Sequence, residues 1–177
     1  MDIVLKLLDI DDWHLLAAIE LDREQEDFAG GSLEKIFRSL QLSQHPDAQH
    51  PFAVIVDGTA AGFFVLREGP ALPAWAYENA ITLHSFRVSR SLQGRGYGTA
   101  ALDLAARWIK ANRPNVRHLM LTVNAENPQA GALYLRCGFR TTAAIFQGRI
   151  GRERVLIGDI ATLTREPGKE GQRKNLF

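Results

Sequence analysis

Three alternating glycines stand between an apolar run and a helical pattern in the middle of the chain. Residues 81–88 are typical of a buried strand, and residues 88–98 then read Val-Ser-Arg-Ser-Leu-Gln-Gly-Arg-Gly-Tyr-Gly. Glycines before a helix let the backbone turn sharply and approach a ligand closely. The helix start adds unpaired N–H groups and the positive end of its dipole. This arrangement predicts a site for phosphate oxygens, such as those of a pyrophosphate.

The spacing of the glycines separates this loop from two better-known phosphate loops. A P-loop requires a lysine after its last glycine, and no lysine follows Gly98. A dinucleotide fold requires Gly-x-Gly-x-x-Gly with an acidic residue about 20 residues later, where this chain has Arg117 and His118. Residues 93–98 instead resemble Gln/Arg-x-x-Gly-x-Gly/Ala, the motif of the GNAT superfamily of acetyl-CoA-dependent N-acetyltransferases.

A second motif downstream carries the same resemblance. Residues 127–134 read Asn-Pro-Gln-Ala-Gly-Ala-Leu-Tyr, and Gly138 and Phe139 follow. This segment is similar to the family's Asn-x-x-Ala-x-x-Leu-Tyr and its terminal Gly-Phe. Two independent motifs in the right order identify the chain as a member, strongly over residues 80–160 and more loosely towards the N-terminus.

The composition excludes several other classes of protein. A length of 177 residues, with 46% hydrophobic and 23% charged residues, predicts a single globular domain. A net charge of +1 gives no reason to expect a nucleic-acid partner. No apolar stretch is long enough to span a membrane, and the histidines and the single cysteine have no metal-ligand spacing, so we expect neither a membrane nor a metal partner. The lone Cys137 and the lack of a signal-peptide pattern favour the reducing cytoplasm.

The pattern of elements predicts the order β-α-α-β-β-β-α-β-α-β-β. Its main signals are a strand at 3–8, helices at 13–21 and from Ser32, a hairpin at Asp57-Gly58, a strand at 80–88, and two strands meeting at 148–151. The resemblance implies the GNAT fold, a mixed α/β fold. Its mostly antiparallel sheet has about seven strands, splayed between the fourth and fifth, with about four helices. We expect one domain over residues 1–164 and a polar tail over residues 165–177.

The resemblance also implies how acetyl-CoA, the co-substrate, is held. Its pantetheine arm is expected to lie in the splay and to bond the main chain of the fourth strand at Phe86, Arg87 and Val88. The pyrophosphate is expected at the glycine loop, which comprises Gln93, Gly94, Arg95, Gly96, Tyr97, Gly98 and Thr99. Asn127 is expected to contact the pantetheine arm. Asn127 before Pro128 is also a good helix N-cap, and that interpretation does not exclude the first.

Tyr134 occupies the position of the family's general acid. A phenol with a pKa of ~10 can protonate a departing thiolate. The alternative is a half-buried core aromatic with no chemical role.

The general base is harder to predict. Acetyl transfer requires a neutral amine, whereas a free alkylamine is cationic at neutral pH. Some relatives carry a glutamate on the fifth strand, where this chain has Thr122, and others carry one on the fourth strand, where it has His84. A histidine with a pKa of ~6.5 suits the task. We expect His84 to be the base, with Glu78 in reserve; a structural histidine is the alternative.

The acceptor is expected to lie against the first two helices. Glu24, Gln25 and Phe28 resemble the corresponding segment of the spermine/spermidine acetyltransferases of this superfamily, and they stand in a run rich in acidic residues. An acidic cluster attracts polyamines, although a solvated helix end would have the same composition. One departure is that Val88-Ser89-Arg90 stands where those enzymes tend to have an acidic residue.

The expected function is therefore acetylation of the primary amine of a small molecule, either a polyamine or an amino-acid-like compound. Acetylation of protein N-termini or lysines, and a non-catalytic acetyl-CoA-binding module, stay open as alternatives. Many relatives pair their C-terminal strands, and residues 152–160 are typical of an uncovered edge strand. A homodimer is expected.

Overall fold

The computed structural model describes residues 2–164, which build a single seven-stranded sheet. Its strands are β1 (Ile3–Leu7), β2 (Gln49–Val56), β3 (Thr59–Arg67), β4 (Ala80–Val88), β5 (His118–Asn124), β6 (Arg140–Gly148) and β7 (Gly151–Asp159). They lie in the order β1-β2-β3-β4-β5-β7-β6, and only the β4–β5 pair is parallel. The predicted mixed, mostly antiparallel architecture is confirmed, whereas the predicted tail at 165–177 lies outside the described residues.

The helices are α1 (Arg23–Phe28), α2 (Leu33–Gln41), α3 (Tyr97–Asn112), α4 (Pro128–Arg136) and the short α5 (Ile160–Leu163). The prediction of one helix over 13–21 is wrong. A 3-10 turn spans Asp12–Leu16, and α1 starts anew after Asp22. The Asp22 side chain accepts from the Gln25 N–H while the Gln25 side chain accepts from the Asp22 N–H. This capping box nucleates α1, because it satisfies two N–H groups that a helix start leaves unpaired.

The strand β3 is buried on both faces of the sheet. Phe64 and Leu66 belong to the cluster that packs against α3, α4 and α5, while Phe63 and Val65 belong to the cluster under α2. The β2–β3 turn is the predicted Asp57-Gly58 hairpin, with φ angles of 46° and 81°. Such a two-residue turn of positive φ matches the twist of the flanking strands. The sheet therefore has a rigid centre next to β4.

The strands β4 and β5 pair only at one end. Residues Ala80–Thr82 align with His118–Met120, and no pairing follows beyond Thr82 and Met120. On its other edge, β4 has an irregular register against β3 between Phe63 and Val65, and Ser85 there has a φ of 57°. A bulge bends a strand and increases its local twist. The predicted splay between the fourth and fifth strands is confirmed, and it leaves a cleft at the C-terminal ends of both strands.

The prediction that residues 152–160 form an edge strand is wrong. The strand β7 pairs with β5 along seven residues and with β6 on its other side, so that β6 is the edge strand at this end of the sheet. The short β6–β7 turn pairs these two strands, and β7 lies between β5 and β6 in the sheet. The homodimer stays a prediction, without the edge strand on which it was based.

Gly62 marks the closest approach between β3 and β4. A Cβ atom at Gly62 would lie 2.6 Å from the backbone oxygen of Arg87. We expect Gly62→Ala to lower the free energy of unfolding by about 1–3 kcal/mol, because neither strand can move away without disturbing its neighbours. Gly131→Ala is the control, since a Cβ atom there would meet nothing within 4 Å and alanine favours α4. Urea denaturation of both variants measures the difference, and equal stabilities would contradict this account of β3 and β4.

Candidate active site

Two cavities meet in the cleft between β4 and β5. The first, here the helix-side cavity, has a volume of about 500 Å³ and lies between α1, the end of β4, the glycine loop and the start of α4. The second, here the sheet-side cavity, has a volume of about 450 Å³ and lies between α2, β4, β5 and the β6–β7 hairpin. Both are lined by Phe28, Ala29, Phe86 and Asn127. A ligand in one cavity can therefore contact a ligand in the other.

The glycine loop makes the turn from β4 into α3. Gly96 is the residue before the first turn of α3 and has a left-handed φ of 85°, a conformation that residues other than glycine rarely adopt. Gly98 serves packing instead, because a Cβ there would lie 3.1 Å from the Leu133 side chain of α4. The loop thus presents the start of α3 to the helix-side cavity, where Gly98 forms part of the wall.

The predicted cofactor residues fall into three groups. Six of them line the helix-side cavity, namely Phe86, Arg87, Val88, Gln93, Gly98 and Asn127. Four are exposed on the loop and the first turn of α3, namely Gly94, Arg95, Gly96 and Thr99. The Tyr97 side chain is buried with Val56 and Ala61, so that only its backbone faces outward. The structure brings the predicted set to one end of the cleft.

Arg87 shapes the cleft through a buried side chain. Its guanidinium donates to the backbone oxygens of Ala29 at 2.7 Å and Gly31 at 3.0 Å. Burial lowers the pKa of Arg87 to about 10, while the Glu26 carboxylate acts in the opposite direction. Arg87 stays cationic at neutral pH and ties the α1–α2 connection to β4.

Two glutamines and one asparagine complete the helix-side wall. The Gln93 side chain donates to the Val88 oxygen at 2.9 Å and accepts from the Gln25 side chain at 3.0 Å. Asn127 caps α4, because its side chain accepts from the Ala130 N–H at 3.2 Å. Its predicted N-cap role is confirmed, and its predicted contact with the cofactor stays a prediction.

Tyr134 is positioned by the end of α4. The Phe139 N–H donates to the backbone oxygen of Tyr134, and the Gly138 N–H donates to the backbone oxygen of Leu135, both at 3.1 Å. This pair of bonds is the Schellman arrangement. The Tyr134 ring packs edge-on against Phe139 at 5.8 Å and lies 6.3 Å from Phe86, which borders both cavities. Burial, with a smaller contribution from Cys137, raises the pKa of Tyr134. The phenol is therefore protonated at neutral pH, and its hydroxyl has no hydrogen-bond partner within residues 2–164.

His84 lies in the wall of the sheet-side cavity together with Thr122. Its Nε2 shares a hydrogen bond of 2.8 Å with the Thr82 hydroxyl, and its ring lies 6.1 Å from that of Trp75. Burial and, less strongly, the positive charge of Arg67 lower the pKa of His84 to about 3. The expectation from sequence that His84 has an ordinary histidine pKa is wrong. The ring is neutral at physiological pH. The reserve candidate Glu78 lies outside both cavities.

The predicted acceptor residues divide between the two cavities. Phe28 borders both, whereas Glu24 and Gln25 line only the helix-side cavity. The neighbouring acidic residues have other contacts, since Asp22 caps α1 and Asp27 receives Arg149 from the β6–β7 turn, whose guanidinium donates to the Asp27 backbone oxygen at 2.8 Å. The acidic run thus borders the helix-side cavity, and Asp27 contacts the β6–β7 turn.

Sequence reasoning missed several polar residues of the sheet-side cavity. They are Lys35, Arg67, Asn124 and Glu153, which stand among the aromatic rings of Trp75 and Phe146. Arg67 ends an apolar strand and Glu153 alternates with arginines along β7, so both sequences are typical of solvated strand ends. Only the sheet order brings them to one cavity. Within residues 2–164, no cluster of three or more His, Cys, Asp or Glu side chains is placed to hold a metal ion, and no helix is long and apolar enough to cross a bilayer.

Comparison with known proteins agrees with the loop, the α4 motif and the splayed sheet. Residues 10–139 match the acetyltransferase (GNAT) family. The chain belongs to this family. It is therefore an acyltransferase that depends on acetyl-CoA, and the resemblance found in the sequence is confirmed.

Individual relatives are distant. The uncharacterized N-acetyltransferase YbbJ of Bacillus subtilis (strain 168) is 28% identical over 141 residues, which covers 75% of this chain and 88% of that protein. AAC(6')-Ib, solved with paromomycin and acetyl-CoA, has a TM-score of 0.75 at 14% identity over 96% of this chain and 99% of that one. Spermidine N-acetyltransferase from Vibrio cholerae, solved with CoA and spermine, has a TM-score of 0.69 at 17% identity over 92% and 98%. The two solved structures establish the shared fold.

The lowered pKa of His84 predicts a pH-dependent loss of stability. Below about pH 6.5 the His84 side chain is protonated in the unfolded chain, whereas in the folded chain it stays neutral down to about pH 3. The free energy of unfolding therefore falls as the pH drops through that window. Between pH 7 and pH 5 the wild type should lose up to about 2 kcal/mol that His84→Gln does not lose. Urea denaturation of both proteins at each pH measures this difference. Parallel stability curves would mean that His84 titrates in the folded protein as it does in the unfolded one.

Proposed function

We propose that this acyltransferase moves the acetyl group of acetyl-CoA directly to the primary amine of a small molecule. The observation that carries the proposal is the meeting of two cavities at Phe28, Ala29, Phe86 and Asn127. The helix-side cavity, bordered by the glycine loop, suits the cofactor, with its phosphates at the start of α3. The pantetheine arm then lies beside the open end of β4 as an added strand would. This places the thioester near Phe86.

The sheet-side cavity then holds the acceptor. Its neutral amine attacks the thioester carbon, and the tetrahedral intermediate collapses by breaking the carbon–sulfur bond. The departing thiolate takes a proton from Tyr134, whose phenol is protonated at neutral pH. The amine's proton passes to His84 or to a water that His84 orients, and from there to bulk solvent, because a ring with so low a pKa does not retain it. Water then restores the proton of Tyr134.

Two observations favour a small acceptor over a protein. The β6–β7 turn reaches across to α1, where Arg149 contacts Asp27, and this covers one side of the cleft. The sheet-side cavity, at about 450 Å³, has the size of a small-molecule site. In keeping with this, both solved relatives described above hold small amines, an aminoglycoside in one and spermine in the other. We place the reaction in the cytoplasm, where the single cysteine would stay reduced.

The first consequence concerns the cofactor. Acetyl-CoA at a hundredfold excess over its Kd should stabilise the protein by about 2.7 kcal/mol, while NAD should not stabilise it. Gly96→Ala should weaken this stabilisation, because alanine resists the left-handed φ that sets the start of α3. Gly58→Ala is the matched control, with a similar φ of 81° at a distant hairpin. Thermal denaturation with and without acetyl-CoA provides the readout. Equal ligand-induced shifts in the two variants would place the phosphates elsewhere.

The second consequence concerns the general acid. Tyr134→Phe should lower kcat about 100-fold while leaving the Kd for acetyl-CoA nearly unchanged. Stability should also change little, because the hydroxyl has no hydrogen-bond partner within the described residues. Tyr77→Phe is the control, since the Tyr77 side chain is exposed and its ring lies against His118, whereas Tyr134 packs against Phe86 in the wall of the cleft. Release of free CoA thiol measures kcat, and an unchanged kcat, with acetyl transfer as the slow step, would assign the proton donor to water.

A further inference from the structure

Arg67 is an unpaired cation in the wall of the sheet-side cavity. Its guanidinium forms no hydrogen bond or ion pair within residues 2–164, and its Nε atom is buried without a partner. A charge in such a position is costly unless it is paired. Lys35 of α2 lines the same cavity and adds a second positive charge. The wall formed by β3 and α2 therefore suits an anionic group of the ligand.

Glu153 is the only carboxylate among the residues that line this cavity. Its carboxylate has no hydrogen-bond or ion-pair partner in the part of the chain that the structure describes. Its side chain lies over Gly148 at the end of β6, because a Cβ atom at Gly148 would overlap the Glu153 carboxylate. The wall formed by β7 therefore suits a cationic group.

The strand registers separate these two charges along the cavity. Arg67 aligns with Thr82, and Thr82 aligns with Met120. Glu153 aligns with Asn124, which lies four residues beyond Met120 on β5, or about 13 Å at the usual rise of a strand. The backbone oxygen of Asn124 accepts from the backbone N–H of Asn127, and Asn127 borders both cavities. Glu153 is thus at the level where the cavities meet, and Arg67 is at the far end.

We propose that the acceptor is a small amino-carboxylate whose amine end is held by Glu153 beside the thioester and whose carboxylate is held by Arg67 and Lys35. This inference rests on the proposed N-acetyltransferase function and names the substrate class of the same site. Of the two classes that the sequence left open, it selects the amino-acid-like compound over the polyamine. The charges on the wall are two cations and one anion, with His84 neutral, and they disfavour a chain of amines.

The acidic run of α1, which suggested a polyamine, does not reach this cavity. None of the acidic residues between Glu20 and Asp27 lines it. Their nearest contacts are with the helix start, with Arg87 and with Arg149. Because this run does not line the acceptor cavity, Glu153 supplies the negative charge in the cavity wall.

The test compares three sets of acceptors by the release of CoA thiol. They are a series of α- and ω-amino acids, the alkylamines of the same length that lack the carboxylate, and spermidine. The wild type should prefer an amino acid over its alkylamine by at least tenfold in kcat/KM, which corresponds to about 1.4 kcal/mol, because only the amino acid offers Arg67 a carboxylate partner. Arg67→Gln should raise the KM for the amino acid at least tenfold and abolish that preference. Arg38→Gln, on the exposed side of α2, is the matched control and should change neither.

Two further variants test the amine end. Glu153→Gln should raise the KM for the amino acid and for the alkylamine alike, because both present the same amine. Gly148→Ala keeps the carboxylate and its charge but displaces it, and should have a similar, smaller effect. An effect of Glu153→Gln on the amino acid alone would contradict the assigned orientation.

Binding is measured separately, so that failure of the inference and failure of the proposed function can be distinguished. Thermal denaturation of the CoA-bound protein should show stabilisation by the preferred amino acid that Arg67→Gln abolishes and Arg38→Gln keeps. Preferred turnover of spermidine, unaffected by Arg67→Gln, would overturn the inference and leave the function standing. If no amine in the panel released thiol although acetyl-CoA bound, the proposed function would fail, and the Arg67-dependent binding would still decide the inference.

Discussion

The early end of the β4–β5 pairing is the feature on which the rest of the site depends. The two strands align over three residue pairs and then separate, and the bulge at Ser85 lies just beyond the last of them. Because a parallel pair leaves its backbone groups unsatisfied where it ends, the open strand edges can receive a ligand that adds as a strand would. Both cavities open from this cleft, His84 lines the sheet-side cavity, and Tyr134 packs behind the wall that Phe86 forms.

An open cleft inside a sheet has to be held open by groups that are themselves fixed. On the helix side, Arg87 bonds two backbone oxygens of the α1–α2 connection, and Gln93 joins the end of β4 to α1. Each bond is made by a partly or fully buried group, where loss of a partner costs more than at the surface. The side chains of Arg87 and Gln93 therefore hold the helix-side walls of the cleft in position.

The parts of this site that could be predicted from sequence are those whose signals are local. The glycine loop, the Asn127 cap and the Schellman end of α4 each depend on residues within one or two turns of chain, and all three are present in the structure. The edge assignment of β7 failed because strand order depends on long-range pairing that no local pattern records. Arg67 and Glu153 were missed for the same reason. They are more than 80 residues apart in the chain. Arg67 ends an apolar strand and Glu153 alternates with arginines, and both patterns are typical of solvated strand ends.

Burial also changes the chemistry that can be assigned to residues found from sequence. Tyr134 is protonated in the apolar core, and burial together with the charge of Arg67 holds His84 neutral, so each is in the protonation state that its proposed role requires at neutral pH. A neutral histidine with a strongly lowered pKa is a weak proton acceptor. Removal of the proton from the amine is therefore easier if another group of the protein already shares that proton. A carboxylate at the level where the cavities meet can share that proton before attack, because it attracts the ammonium form and holds it next to the thioester. In the proposed sequence Glu153 positions the ammonium group, and its proton leaves through His84, or the water that His84 orients, to bulk solvent. Burial and the positive charge of Arg67 both lower the pKa of His84, so that the proton does not remain on the ring.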